Sequence, residues 1–281
     1  MNFTNNGLNL INASFAELPI LWCKNFKMEN KSKIALVTGG SRGLGKDMAL
    51  RLAEKGIDVI LTYNTKKEEA LGVVAEIEKA GRKAAAMQLD TGRVAGFDAF
   101  VESLGGVLKN KFGADRFDFL INNAGVGGHA LIGELTEALF DTLVNVHFKG
   151  TIFLTQKMLP FMNDGGGVIN LSTGLTRITI PGVSVYAGVK AAIESSSRIL
   201  AAELGPRRIR VNIVAPGAIQ TDFSGGIVRD NPEVNKRVTA ATALGRPGLP
   251  EDIGGVVAFL CTDDARWINA QRIEVSGGQS L

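Results

Sequence analysis

Ile34-Ala35-Leu36-Val37-Thr38-Gly39-Gly40-Ser41-Arg42-Gly43-Leu44-Gly45 decides how this chain folds. Its first four residues are a short apolar run, the mark of a strand buried on both faces. A glycine-rich turn follows at once. Then comes an amphipathic segment, Lys46 to Lys55, which Gly56 stops. Strand, glycine turn and helix in this order make a cradle for a pyrophosphate. The glycines let the backbone approach closely, and the helix N-terminus brings N–H groups and partial positive charge. Glycines at 39, 43 and 45 spell TGxxxGxG rather than GxGxxG.

Outward from this stretch the same alternation repeats. Strands are expected at Asp58–Tyr63, Ala84–Leu89, Phe117–Ile121, Gly167–Leu171, Ile209–Val214 and Arg272–Val275. Helices are expected at 66–80, 92–112 (with glycine interruptions), 136–161, from Ser184 to about Leu204, and 251–261. A β-α-β-α chain of this kind implies one α/β domain from about 29 to 281: a Rossmann-type, doubly wound parallel sheet of about seven strands with helices on both faces. Between Asp222 and about Leu249 the pattern loosens around Gly225, Gly226, Pro232 and Pro247, which suggests a lid over a site.

Composition narrows the function classes. The chain has 281 residues, a net charge of +3 and no long basic block, so nucleic acid and membrane surfaces find no electrostatic footprint. Two cysteines and two histidines are too few for a disulfide framework or a histidine- or cysteine-based metal centre, and no metal is expected. No apolar run approaches a membrane span. Residues 1–28 read as an N-terminal extension, or as sequence upstream of a natural start at Met28. They lack the pattern of a signal peptide, and the protein is expected in the cytoplasm.

The end of the second strand reads Tyr63-Asn64-Thr65-Lys66, with no acid to hold a ribose 2′-hydroxyl. Arg42, Asn64, Thr65 and also Lys66 could instead hold a 2′-phosphate, which favours NADP(H) over NAD(H). Asp90-Thr91 closes the third strand where a polar pair could meet an adenine edge. Asn122 and Asn123 end the fourth, placed to stitch loops together or to contact ribose. Asn145 sits inside a helix, either at a buried hydrogen-bonding position or on an exposed polar face. Tyr186 and Lys190 are four apart, on one face of a helix start. A phenol keeps its proton to about pH 10, and a nearby ammonium favours the phenolate. The pair reads as a proton donor and its tuner. His129 and Arg177 lie in loops flanking the site, as substrate contacts or as surface residues.

Together these motifs resemble the short-chain dehydrogenase/reductases, over nearly everything after Met28: TGxxxGxG at 38–45, Asp90, NNAG at 122–125, Asn145, YxxxK at 186–190, and Pro216-Gly217 with Thr221. The 3-oxoacyl-thioester reductases and related carbonyl reductases look most similar. The resemblance implies a tetrad. Tyr186 would exchange a proton with the carbonyl or alcohol oxygen. Lys190 would lower the tyrosine pKa and bind ribose hydroxyls. Asn145 would hold a relay water. The family's serine falls at Thr173, thirteen residues before Tyr186, so Thr173 is expected to polarise the carbonyl, with Ser172 as the alternative. The cofactor would lie against Gly39, Ser41, Arg42, Gly43, Leu44, Gly45, Asn64, Thr65, Asp90, Thr91, Asn123, Ala124, Gly125, Tyr186, Lys190, Pro216, Gly217, Ile219 and Thr221. The resemblance also implies a small-molecule carbonyl or alcohol substrate and a homo-oligomer, tetramer or dimer. Enoyl-thioester reductases of this architecture space tyrosine and lysine by seven, and Ile193 stands there. A non-catalytic NADP-binding regulator or scaffold is the alternative of another class.

Overall fold

The computed structural model describes residues 32–281; the extension and the Met28 start lie outside them. Seven strands form one all-parallel sheet: β1 (Ile34–Val37), β2 (Asp58–Tyr63), β3 (Ala84–Gln88), β4 (Phe117–Asn122), β5 (Met162–Leu171), β6 (Arg210–Pro216) and β7 (Arg272–Val275). Their order is β3-β2-β1-β4-β5-β6-β7. The expected Rossmann-type fold is therefore the one observed. The direction of winding reverses between β1 and β4, and a ligand crevice opens at the C-terminal ends of strands at such a switch point.

The helices are α1 (Gly43–Glu54), α2 (Lys67–Lys79), α3 (Phe97–Val107), α4 (Glu137–Val144), α5 (Gly150–Met158), α6 (Ser184–Glu203), α7 (Ile227–Asp230), α8 (Pro232–Ala240) and α9 (Pro250–Leu260). Side chains alternate across β1. Ala35 and Val37 join a core with α1, α2 and α9, while Ile34 and Leu36 join a second core with α3, α5 and α6. Covering both faces requires every strand residue to be apolar, which is why β1 reads as an unbroken run. Each large side chain withdrawn from water in these layers contributes about 1.5–3 kcal/mol.

Three elements depart from expectation. The helix across 136–161 is interrupted: Asn145–Lys149 forms a π-turn between α4 and α5. Strand β5 starts five residues early, at Met162, with a register shift against β4 between Phe117 and Phe119. The segment after Asp222 is largely helical. Asn231 Oδ1 accepts from the backbone N–H groups of Glu233 and Val234 (3.0 and 3.1 Å) and caps α8, with Pro232 in its first turn. Pro232, which reads as punctuation, opens a helix.

Candidate active site

At the switch point the glycine turn and the Asn122–Gly125 loop are laced together. Thr38 Oγ1 accepts from the backbone N–H groups of Asn123 and Ala124 (2.9 and 3.0 Å). Asn123 Nδ2 donates to the carbonyls of Thr38 and Gly39 (2.9 and 3.1 Å). The Asn123 side chain thus serves the loop-stitching role. A Cβ at Gly45 would lie 2.0 Å from the Gly39 carbonyl oxygen, and Gly39 holds φ +66° with Ala124 Cα 3.0 Å from where its own Cβ would be. Only glycine fits either position. Helix α1 begins at Gly43 with no side-chain cap and no acid in its first turn. Its first N–H groups are left to a ligand, and the dipole there favours an anion. Thr221, on the loop after β6, comes to 3.6 Å from the Cβ position of Gly43 and closes the other side. Gly217 and Ala218 are held by the C-terminal tail: Gly217 N donates to the Val275 carbonyl, and Ala218 N to Gln279 Oε1 at 2.8 Å. This cradle fits a dinucleotide.

At its far end, Asn64, Leu89, Asp90 and Arg93 line an open groove. Asp90 Oδ1 accepts from Gly92 N (2.9 Å), and Asn64 and Thr65 are exposed beside it. No acid closes β2. Lys66 pairs with Glu69. Arg42 reaches Asp222 at 3.5 Å, with both side chains about half exposed. The backbone of Thr91 packs so tightly on α5 that a Cβ at Gly150 would meet the Thr91 carbonyl at 1.9 Å. Gly150 is a constraint that local pattern alone does not reveal.

Beyond β5 the two hydroxyl candidates separate. Ser172 Oγ donates to buried Glu194 at 2.5 Å, away from the crevice. Thr173 caps the short 3₁₀ turn Gly174–Thr176 and lies against the Tyr186 side chain. Glu194 also accepts from Thr176 Oγ1 (3.0 Å) and Arg272 Nε (2.9 Å), and Arg272 Nη2 donates to the Thr173 carbonyl (3.2 Å). This buried network fixes the backbone that carries Thr173. Glu194 follows Lys190 by one helical turn, a spacing that could have flagged it.

Lys190 is buried, and its Nζ donates to the Leu171 carbonyl at 2.7 Å. Burial pulls its pKa down to about 8. Burial acts on Tyr186 in the opposite direction. Enclosure pushes its phenol up to about 12, and only the Thr173 side chain acts in the opposite direction. Lys190 Nζ is turned to Leu171 and lies 6.0 Å from the ring centroid of Tyr186. Asn145 opens the π-turn, which packs on α6. Its side chain is half-buried and makes no hydrogen bond among the described residues. Such turns recur at functional sites. His147, two residues on, is buried with its ring edge-on to Tyr186, and the sequence gives no signal for it. The other flanking candidates lie nearer the surface. His129 packs over Gly182, and Arg177 binds Glu274 (2.6 Å) and the Gln279 and Ser280 carbonyls.

A family profile described as enoyl-(acyl carrier protein) reductase matches residues 39–280. An uncharacterized oxidoreductase of Methylorubrum extorquens is 40% identical over 248 residues, 88% of this chain and 98% of that one. The chain is a short-chain dehydrogenase/reductase. The tetrahydroxynaphthalene reductase PfmaG of Pestalotiopsis fici is 37% identical over 257 residues, covering 88% of this chain and 91% of that protein. Among solved structures, the angucycline C-6 ketoreductase LanV with bound NADP superposes with a TM-score of 0.85 at 38% identity, over 90% of this chain and 97% of that one. The promiscuous reductase LugOII of lugdunomycin biosynthesis gives 0.84 and 37%, over 89% and 98%. This chain is accordingly a nicotinamide-dependent oxidoreductase of the C=O/CH–OH type. Among the described residues no helix is long and apolar enough to cross a membrane.

Proposed function

We propose that this short-chain dehydrogenase/reductase is an NADP(H)-preferring carbonyl reductase with Tyr186 as proton donor, Thr173 as the second hydrogen-bond donor to the carbonyl oxygen, and Lys190 and Asn145 as the proton supply. The observation that carries the reading is the division of labour after β5: Ser172 is tied to Glu194, and Thr173 faces Tyr186. When bound, the reduced nicotinamide supplies the hydride. Tyr186 holds its proton at neutral pH and gives it to the oxygen as negative charge develops. Thr173 stabilises the same charge, with the donor inventory of a serine. Lys190, with a pKa near 8, can return a proton at working pH, and Asn145 holds the relay water beside it. The spacing of four between Tyr186 and Lys190 supports carbonyl over enoyl reduction.

Arg42, Asn64 and Thr65 support the NADP preference. Three loops meet around Tyr186. Phe223 lies 6.0 Å from its ring, a Cβ at Gly127 would touch Ser224, and Ala130 N donates to Gly182 O. Val126, Leu131, Ile132, Ile180, Phe223 and Ile227 are exposed on these loops. Of the nearby cations, Arg177 pairs with Glu274 and Arg229 with Asp222 and Asp230, while Lys236 and Arg237 stand exposed farther out on α8. Such a rim suits an uncharged ring ketone, the kind of substrate that the names of several relatives carry, better than a charged carrier-bound chain. Exposed Phe140, Phe153 and Ile199 on α4, α5 and α6 suit a homo-oligomer.

The test follows oxidation of NADPH and NADH in parallel with a bicyclic aromatic ketone, a keto-sugar and a 3-oxoacyl thioester. Turnover of the ring ketone with NADPH is expected. No turnover of any carbonyl, with NADPH binding intact, would sink the catalytic reading in favour of a dinucleotide-binding regulator or scaffold.

A further inference from the structure

We propose that His147 is a positioning residue of this active site: its imidazole, tied to the Val126 carbonyl, fixes the angle of the Tyr186 phenol and keeps a bare Nδ1 as a buried acceptor. The inference rests on the carbonyl-reductase reading above.

Four observations converge on this ring. It is 2% exposed, among the most deeply buried polar groups of the chain. Its centroid lies 5.2 Å from that of Tyr186 at an interplanar angle of 88°, an edge-to-face contact that restrains the phenol. Its Nε2 lies 2.7 Å from the Val126 carbonyl oxygen and 3.3 Å from the Val126 nitrogen. The shorter contact assigns the proton to Nε2, which donates to the carbonyl. Nδ1 is then a bare acceptor, and no group in the described residues hydrogen-bonds to it. Finally, the ring fills the space of a side chain at Gly125: a Cβ there would lie 2.6 Å from Cε1. The loop after β4, the π-turn and the phenol are thus set against one another through a single imidazole.

A ring that only filled space would be cheaper as phenylalanine, because a buried acceptor without a partner destabilises the fold. Groups that break this rule cluster where function requires them. The imidazole also stays neutral. Burial, then the nearby Lys190 charge, hold its pKa at about 3 against the pull of the Val126 bond. Its unprotonated Nδ1 is therefore available throughout the working pH range.

The test compares His147→Phe and His147→Gln with wild type by Tm, NADPH Kd from fluorescence titration, and steady-state kcat and KM on the preferred ketone. The phenylalanine variant is expected to fold with a Tm within a few degrees of wild type, since relief of the bare Nδ1 offsets loss of the Val126 bond, and with a Kd within about twofold. Its kcat should fall by about tenfold or more while KM changes less than about threefold. His147→Gln, which retains a donor for Val126 and an acceptor, should recover part of that loss. A His147→Phe enzyme with wild-type kcat overturns the proposal, as does a loss of kcat that tracks a fall in Tm. A phenylalanine variant that does not fold also overturns it, since the imidazole would then be a folding requirement. Wild type silent on every carbonyl overturns the functional reading together with this one, whereas active wild type with an equally active variant overturns this one alone.

Discussion

On the β1 side of the crevice the contacts that shape the site bring backbone close to backbone: Gly39 against Ala124, Gly45 against the Gly39 carbonyl, and the Thr38 and Gly39 carbonyls laced by the Asn123 side chain. On the β5 side they run through buried polar side chains: Ser172 and Arg272 on Glu194, Lys190 on Leu171, His147 on Val126. The first wall admits a ligand by leaving room and bare N–H groups. The second acts on a substrate by holding a few protons at fixed places. Damage should therefore differ in kind. Changes on the first wall should alter affinity, and changes on the second should alter turnover.

The largest effect belongs to the second wall. Tyr186→Phe should lower kcat by about a thousandfold or more, with NADPH Kd within a few-fold, because only the donated proton is lost. Turnover near wild type in a rapid-mixing assay would remove Tyr186 from the chemistry and the contrast with it.

Next comes the first wall. Gly45→Ala places a Cβ 2.0 Å from a carbonyl oxygen that cannot move without breaking the Asn123 lacing. NADPH affinity should fall by about a hundredfold. Titration calorimetry checks this. Unchanged affinity would mean that the turn relaxes more freely than its packing implies.

The two walls also differ in how plainly they can be read before folding. The glycine turn, the strand before it and the YxxxK pair are local, so spacing alone locates them. The apolar runs likewise reveal a parallel sheet, since a strand buried on both faces has no other composition. The second wall is assembled from residues far apart in sequence. That Ser172 serves Glu194 while Thr173 serves Tyr186 depends on Arg272, about a hundred positions away, and on which way β5 turns its last side chains. His147 is hidden for a related reason. The π-turn at Asn145 shifts the helical register, so periodicity of 3.6 assigns it to the wrong face. Helix α8 is masked by Pro232, a breaker inside a helix but a favoured residue in its first turn.

Lys190 sharpens the contrast in a stability measurement. Its ordinary pKa of 10.5 falls to about 8 in the folded protein. Below about pH 8 both folded and unfolded chains hold the proton, and the cost of the buried charge is fully present. Between about 8 and 10.5 the unfolded chain binds more protons, so stability from this residue rises with pH. Above that window the cost is gone. Lys190→Met removes the cost at neutral pH, worth up to about 3 kcal/mol, but leaves the Leu171 carbonyl without its donor, which costs about 1–3 kcal/mol. The variant should therefore be close to wild type in stability at pH 7. Relative to wild type it should lose stability steadily from pH 8 to 10.5 in denaturant melts. A constant difference across that window would mean that the folded lysine titrates normally.

The smallest effect concerns Arg42, where the first wall meets the segment after β6. Its guanidinium faces Asp222 at 3.5 Å, while the other oxygen of Asp222 is held by Arg229 at 2.6 Å. A 2′-phosphate carries more charge than this carboxylate and offers more acceptor oxygens, so it should win Arg42 from a contact that is long and half exposed. Arg42→Gln should weaken NADPH binding by about tenfold and leave NADH within about twofold. The preference should also fade as salt screens the pair. Asp222→Asn should do the reverse in miniature: freeing Arg42 should tighten NADPH by about two- to threefold, with NADH unmoved. If both cofactors weaken equally in Arg42→Gln, the arginine shapes the turn rather than reading the phosphate. The 2′-phosphate would then have to be recognised by Asn64 and Thr65 alone.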